Sequence, residues 1–264
     1  APASVVGVPP PLASAVISPR AYSSADGSAQ APPIARTRSH GTRRTRSRYH
    51  WCVTRSVFCA DARAWLVENR APQNASVVTS LPDVSEIGRP FGFWREWFGA
   101  AARQLLEWIP EDGNAIFFQS DIRHEGAWID KGHLVQRAAD EVGIPMAWHK
   151  IVCRHPPGTT LPGRASYSHM MCFSRTPTGK RPGPDVIDNG AMLWNRGMGV
   201  NACRVALRYL AESTPTRVVV DPYCGRGTVL VVAEELGLEA IGVELNVKRA
   251  RQARSLDSAA LDRA

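Results

Sequence analysis

Three valines, Val218-Val219-Val220, end in Asp221, and the chain continues Pro222-Tyr223-Cys224-Gly225-Arg226-Gly227-Thr228. Two glycines separated by one residue, after a β-branched strand and before a helical stretch reaching Leu236, form a turn whose backbone amides can approach a ligand closely. A second apolar run, Ile241-Gly242-Val243, ends in Glu244. A carboxylate there can accept hydrogen bonds from both hydroxyls of a ribose. The spacing predicts a nucleotide-cofactor site; the alternative is a glycine turn that binds nothing. A dehydrogenase loop is disfavoured, because Leu230 stands where its third glycine belongs.

Such a loop needs a sheet to carry it. Short apolar runs predict strands at 52–60, 75–80, 114–119, 145–153, 167–174, 216–221 and 239–244, and helical periodicity falls at 61–69, 93–109, 131–142, 199–212, 227–237 and 246–256. The alternation predicts an α/β fold with a mainly parallel sheet and helices on both faces. Phe93, Trp97, Ala101, Leu105 and Trp108 fall at helical spacing and read as a core-facing stripe; an aromatic platform for bases is the other reading. In a sheet of this kind ligands sit beyond the carboxyl ends of the strands.

Asp221-Pro222-Tyr223-Cys224-Gly225-Arg226-Gly227-Thr228 resembles the D-P-F-x-G-x-G-T cofactor loop of class I S-adenosylmethionine methyltransferases, especially those acting on amino groups of nucleic-acid bases. That group's fold is a Rossmann-like, seven-stranded sheet. Here the cofactor loop lies near the C-terminus and leaves no room behind it for the remaining strands, so the resemblance implies the circularly permuted order over about residues 50–256. It also implies that Ser80-Leu81-Pro82-Asp83 is the catalytic loop, with Ser80, Pro82 and Asp83 as its working residues. In the group, the first side chain and the following carbonyl accept hydrogen bonds from the target amino group. Leu81 and Asp83 depart from the pattern, Asp83 standing where an aromatic normally stacks on an extruded base. An acid there could serve as a general base, hold a cationic substrate, or only shape the turn with Pro82.

By the same resemblance S-adenosylmethionine is the cofactor, and Asp221, Tyr223, Gly225, Gly227 and Thr228 hold its methionine end. Glu244 takes the ribose and Asp61 the adenine amino group, although Asp61 also reads as a helix N-cap. Asn195 and Met198 precede the helix leading to the cofactor loop and are expected to touch the cofactor. Gln119, Ser120 and Asp121 sit at a strand end, as pocket or loop-shaping residues. Lys131, Arg154 and Arg164 are candidates for a phosphate backbone.

The net charge of +8 is unevenly spread. Residues 1–50 hold seven arginines against the single acid Asp26, which accounts for +6 and leaves the rest nearly neutral. Residues 1–48 read as a disordered Pro/Ala/Ser-rich and then Arg-rich tail able to grip phosphates, 49–258 as the methyltransferase domain, and 259–264 as a C-terminal tail. The Arg- and Ser-rich composition is shared by organelle transit peptides, so an organellar address stands beside the cytoplasmic one. Six scattered cysteines without C-x-x-C spacing suggest neither zinc nor disulfides, and no apolar run is long enough to span a membrane. The reading is an N-methyltransferase acting on nucleic acid. RNA is favoured over DNA because no insertion is long enough to form a separate recognition domain. The alternatives are methylation of a small molecule or protein side chain, and a non-catalytic cofactor-binding RNA scaffold.

Overall fold

The computed structural model describes residues 54–262; the readings of the Arg-rich tail and of Cys52 fall outside them. The first strand, β1 (Arg55–Phe58), leads through α1 (Ala62–Glu68) to β2 (Ala75–Thr79), and α2 (Val84–Ile87) and α3 (Phe91–Trp108) lead to β3 (Ala115–Gln119). A hairpin, β4 (Ile122–His124) and β5 (Ala127–Ile129), precedes α4 (Lys131–Glu141), β6 (Met146–Cys153), β7 (Tyr167–Phe173) and β8 (Val186–Asp188). The chain closes with α5 (Val200–Ser213), β9 (Val218–Asp221), α6 (Thr228–Glu235), β10 (Glu239–Val243), α7 (Val247–Ser255) and α8 (Ala259–Asp262).

Eight strands make one sheet in the order β1-β10-β9-β2-β3-β7-β6-β8, so the last two strands in sequence fill the gap between the first two. β1, β10, β9, β2 and β3 run parallel, and β7 is antiparallel to both of its neighbours. The central strands β2, β3 and β9 are buried along their whole length, as strands covered on both faces must be, which is why they read as unbroken apolar runs. Successive side chains alternate between two cores. Val219 faces α5 and α6, whereas Val218 and Val220 face the side covered by α1, α3 and α4.

All seven expected strands form, and the sheet gains an eighth. β8 is only three residues long and pairs parallel to β6, with Lys150, fully buried, donating from Nζ to the Pro184 carbonyl just before it. The β4–β5 hairpin was also unforeseen; Glu125 and Gly126 turn it at φ 49° and 82°, the left-handed pair that a two-residue hairpin requires. The stripe on α3 is rotated by one position: Trp94, Phe98, Ala101 and Leu105 are buried, while Phe93 is exposed beneath the Arg89 guanidinium. Leu261 of α8 packs into the core, so structure continues into the segment read as a tail.

Candidate active site

Adjacent strands diverge between β9 and β2. From β9 the chain passes through α6 toward β10, and from β2 it leads through α3 toward β3, which opens a crevice at their carboxyl ends. A cavity of about 420 Å³ fills it, within the range of about 300–1,000 Å³ common for ligand sites. Asp61, Asp221, Tyr223, Gly225, Thr228 and Glu244 line it, together with Met198, Ser80 and Pro82. Residues more than 180 positions apart in sequence, Asp61 and Glu244, thus meet at one site.

Each acid is held by its element. Asp61 caps α1 by accepting from the Ala64 amide at 2.9 Å, so the capping role and the cavity-lining role coexist. Asp221, at the end of β9, is buried and accepts from Thr79 Oγ1 at 2.7 Å and from the Tyr223 amide at 3.2 Å. Burial pushes its carboxyl up to about 7, with a further upward push from Glu244 and opposition from the two hydrogen bonds. Glu244 is also buried and accepts from the Asn246 amide at 2.8 Å.

Gly225 has φ 56°, and a Cβ there would stand 2.5 Å from the Trp194 ring. Gly227 does not line the cavity. Its φ is 90°, and a Cβ would meet the backbone of α7 at Ala253 at 3.1 Å, so its glycine serves the turn and helix packing rather than ligand access. Thr228 Oγ1 and Tyr223 Oη are buried without a hydrogen-bond partner, and Thr228 Oγ1 belongs to the cavity wall. Cys224 is buried beneath the loop, where a Cβ on Gly242 would touch its sulfur at 2.8 Å; it is filler.

The catalytic-loop candidates lie between this cavity and a second one of about 440 Å³. The second is lined by Asp83, Lys131, Ser120, Arg154 and Arg164, and it shares Ser80, Leu81, Glu86, Arg196 and Gly197 with the first. Among the described residues neither Ser80 Oγ nor the Leu81 carbonyl has a hydrogen-bond partner, whereas the Pro82 carbonyl accepts from Trp94 Nε1 at 3.0 Å. Asp83 is the N-cap of α2 and forms an ion pair with Lys131, whose side chain is 3% exposed. That cation occupies the carboxylate for which a general base, a cation-binding group and a turn-shaping residue were the open readings. Asn195 lines the second cavity instead of the first, while Met198 is in the first as expected.

Ser120 faces the second cavity; Gln119 is buried without polar partners and lines neither. Asp121 points the other way. Its Oδ2 accepts from Tyr167 Oη at 3.0 Å and Trp128 Nε1 at 3.3 Å and pairs with His169 Nε2 at 3.2 Å, and Oδ1 accepts from the Lys131 amide at 2.9 Å. Burial opposes its ionisation, but the bonds from His169 and Lys131 hold its pKa below the usual value. Asp121, Asp130 and His169 stand close enough to invite a metal, yet protein donors already fill Asp121, and Asp130 caps α4.

Trp97, read from the sequence as part of a core stripe or an aromatic platform, lines the first cavity, and Trp194, Glu86, Arg196 and Arg249 join it without having been singled out as site residues. Arg196 Nη1 reaches Glu86 Oε1 at 3.1 Å, and Arg226 and Arg249 flank the Trp194 ring. Glycines 197 and 225, both made tight by Trp194, carried a signal for the ring, but it is visible only once the loops are folded together.

The sequence model of the DNA methylase family matches residues 208–255, from the end of α5 through α7. The fold resembles a putative DNA modification methylase of Thermus thermophilus (18% identity, TM-score 0.60, covering 76% of this chain and 92% of that one). It also resembles the cytosine-N4-specific PvuII DNA methyltransferase (17% identity, TM-score 0.63, 77% and 87% covered). This chain has the fold of a DNA modification methylase. A third similar structure, M1.HpyAVI in complex with SAM, covers 76% of this chain and 98% of that one at 12% identity and TM-score 0.52. Sequence against sequence, no curated protein matches.

Proposed function

We propose that this chain is an S-adenosylmethionine-dependent N-methyltransferase that methylates an amino group of a nucleic-acid base. The observation that carries the proposal is the junction of the two cavities at Ser80 and Leu81, with the predicted cofactor residues on one side and a basic, hydroxyl-rich pocket on the other. The first cavity suits the cofactor. Asp61, Glu86, Asp221 and Glu244 line it against Arg196 and Arg249, an acidic balance that favours a cation, and Thr228 Oγ1 offers an unpartnered hydroxyl. When bound there, the cofactor supplies an electrophilic methyl on a sulfonium.

Glu244 and Asp61 would hold the ribose and adenine, and Asp221 with the Tyr223–Gly225 turn the methionine end. The chain's own part in the reaction is positioning. Ser80 Oγ and the Leu81 carbonyl are free to accept from an amino group and orient its lone pair toward the first cavity, which stabilises positive charge developing on nitrogen. Rigid placement comes from Trp94, whose indole holds the next carbonyl.

The family match and the names of similar structures favour DNA as acceptor. RNA is the second reading, favoured by the absence of a recognition-domain insertion within 54–262. The test is transfer of labelled methyl from S-adenosylmethionine into DNA, RNA and protein from cells lacking this protein, followed by nucleoside digestion. Label on a base amino group of DNA or RNA is expected. Label only in protein, or none despite cofactor binding, would reject the nucleic-acid acceptor.

A further inference from the structure

The second cavity has the opposite polarity to the first. Lys131, Arg154, Arg164 and Arg196 line it against Asp83 and Glu86. The two acids are already committed, Asp83 to Lys131 and Glu86 to Arg196. Arg154 and Arg164 form no ion pair among the described residues. Arg154 donates from Nη1 to Ser120 Oγ at 3.2 Å and reaches only the Met192 sulfur on its other side, and Arg164 forms no side-chain hydrogen bond.

Arg154 and Arg164 line one cavity, and the mutual repulsion of their guanidiniums costs free energy in the empty protein. Burial and the Arg164 charge both favour a neutral Arg154, opposed by the weaker pull of Asp83. An anion between them relieves that cost, and guanidinium forks match phosphate oxygens in pairs. The loop carrying them, between β6 and β7, is fixed at its base where the Arg154 amide donates to the Ser166 carbonyl at 2.8 Å.

We infer that Arg154 and Arg164 form a phosphate-binding subsite that anchors the acceptor by the phosphate next to its target base. This rests on the proposed acceptor class and deepens it. With Asp83 in place of a stacking ring, and Asp83 itself neutralised by Lys131, the acceptor is held by its charged backbone and not by aromatic stacking on the catalytic loop. The apolar wall of the same cavity, Leu81 and Phe118, is left for the base. Lys131 is a positioning residue for the loop and does not bind the phosphate.

The test is calorimetric titration of the full chain with nucleoside 5′-monophosphates, the corresponding nucleosides and inorganic phosphate. Each monophosphate is expected to bind about tenfold or more tightly than its nucleoside, the difference made by charge-assisted bonds to one phosphate. Arg164→Gln should erase most of that difference without affecting folding, since Arg164 is exposed and unbonded; Arg154→Gln/Arg164→Gln should erase all of it, and Arg164→Lys should restore part. Binding of inorganic phosphate alone, lost in the double variant, assigns the site to phosphate from any source; preference for the nucleotide assigns it to the acceptor. Equal affinity for nucleotide and nucleoside, undetectable binding of both, or a preference that survives the double variant overturns the subsite. S-adenosylmethionine affinity and methyl transfer to polymer, measured on the same preparations, report separately on the proposed function.

Discussion

At the scale of single residues, the proposed reaction divides its chemistry between groups that would hold a cationic donor and groups that would place a neutral amine. Ser80 belongs to the second kind. Ser80→Ala removes one acceptor at the cavity junction and should lower kcat about 10²-fold or more while leaving the dissociation constant for S-adenosylmethionine within about twofold, measured by single-turnover kinetics and calorimetry. Gly225→Val belongs to the first. Its Cβ would stand against Trp194 in a left-handed turn, so cofactor affinity should fall by at least about tenfold.

Asp221 gives the pH dependence. Its folded carboxyl holds a proton to about 7, whereas an unfolded aspartate loses it near ~3.9. Because the folded pKa is the higher one, this group's contribution to stability is complete below pH ~4 and declines as pH rises to about 7. Thermal denaturation of the cofactor-free protein should therefore show a fall in Tm across that interval that is flatter in Asp221→Asn.

The elements explain why these residues meet. β9 and β2 are neighbours in the sheet although Thr79 and Val218 are 139 positions apart, and Thr79 reaches Asp221 only because the last strands insert beside β2. α7 is pinned to β1 by Arg55, which pairs with Glu234 and donates to the Ala253 carbonyl at 2.8 Å. Arg55→Leu strands Glu234, the Ala253 carbonyl and the carbonyl of Leu256, the C-cap of α7, and should cost about 3 kcal/mol, seen as a lower denaturant midpoint. Gly227 packs on the same helix, so its substitution should lower stability.

The long elements were legible because fully buried strands read as apolar runs and amphipathic helices as a 3.6-residue period. β8, α2 and the hairpin were not, since three or four residues show no period. Of the candidate site, the sequence-local groups were legible: Asp221, Gly225 and Glu244 stand at strand ends in a recognisable spacing. Asp83's partner was not, because Lys131 lies 48 positions away and nothing in either segment announces the pair. Trp194 and Glu86 were hidden for the same reason.

For the whole molecule, charge separates the parts. The described domain has an acidic cavity beside a basic one, while most of the net +8 lies in residues 1–50. Removing residues 1–48 should weaken nucleic-acid binding and reduce its salt dependence by several phosphate equivalents, while leaving S-adenosylmethionine affinity unchanged, as filter binding over a salt series would measure. No described helix is long and apolar enough to cross a membrane.

The proposed methyl transfer requires the first cavity to be the cofactor site and Ser80 to stand at its exit toward the acceptor. Calorimetric titration of S-adenosylmethionine into wild type, Glu244→Gln and Ser80→Ala tests both together. One-to-one binding to wild type, about tenfold weaker in Glu244→Gln and unchanged in Ser80→Ala, is expected. Absence of binding to the folded wild type, or an affinity indifferent to Glu244, would contradict the proposed cofactor site.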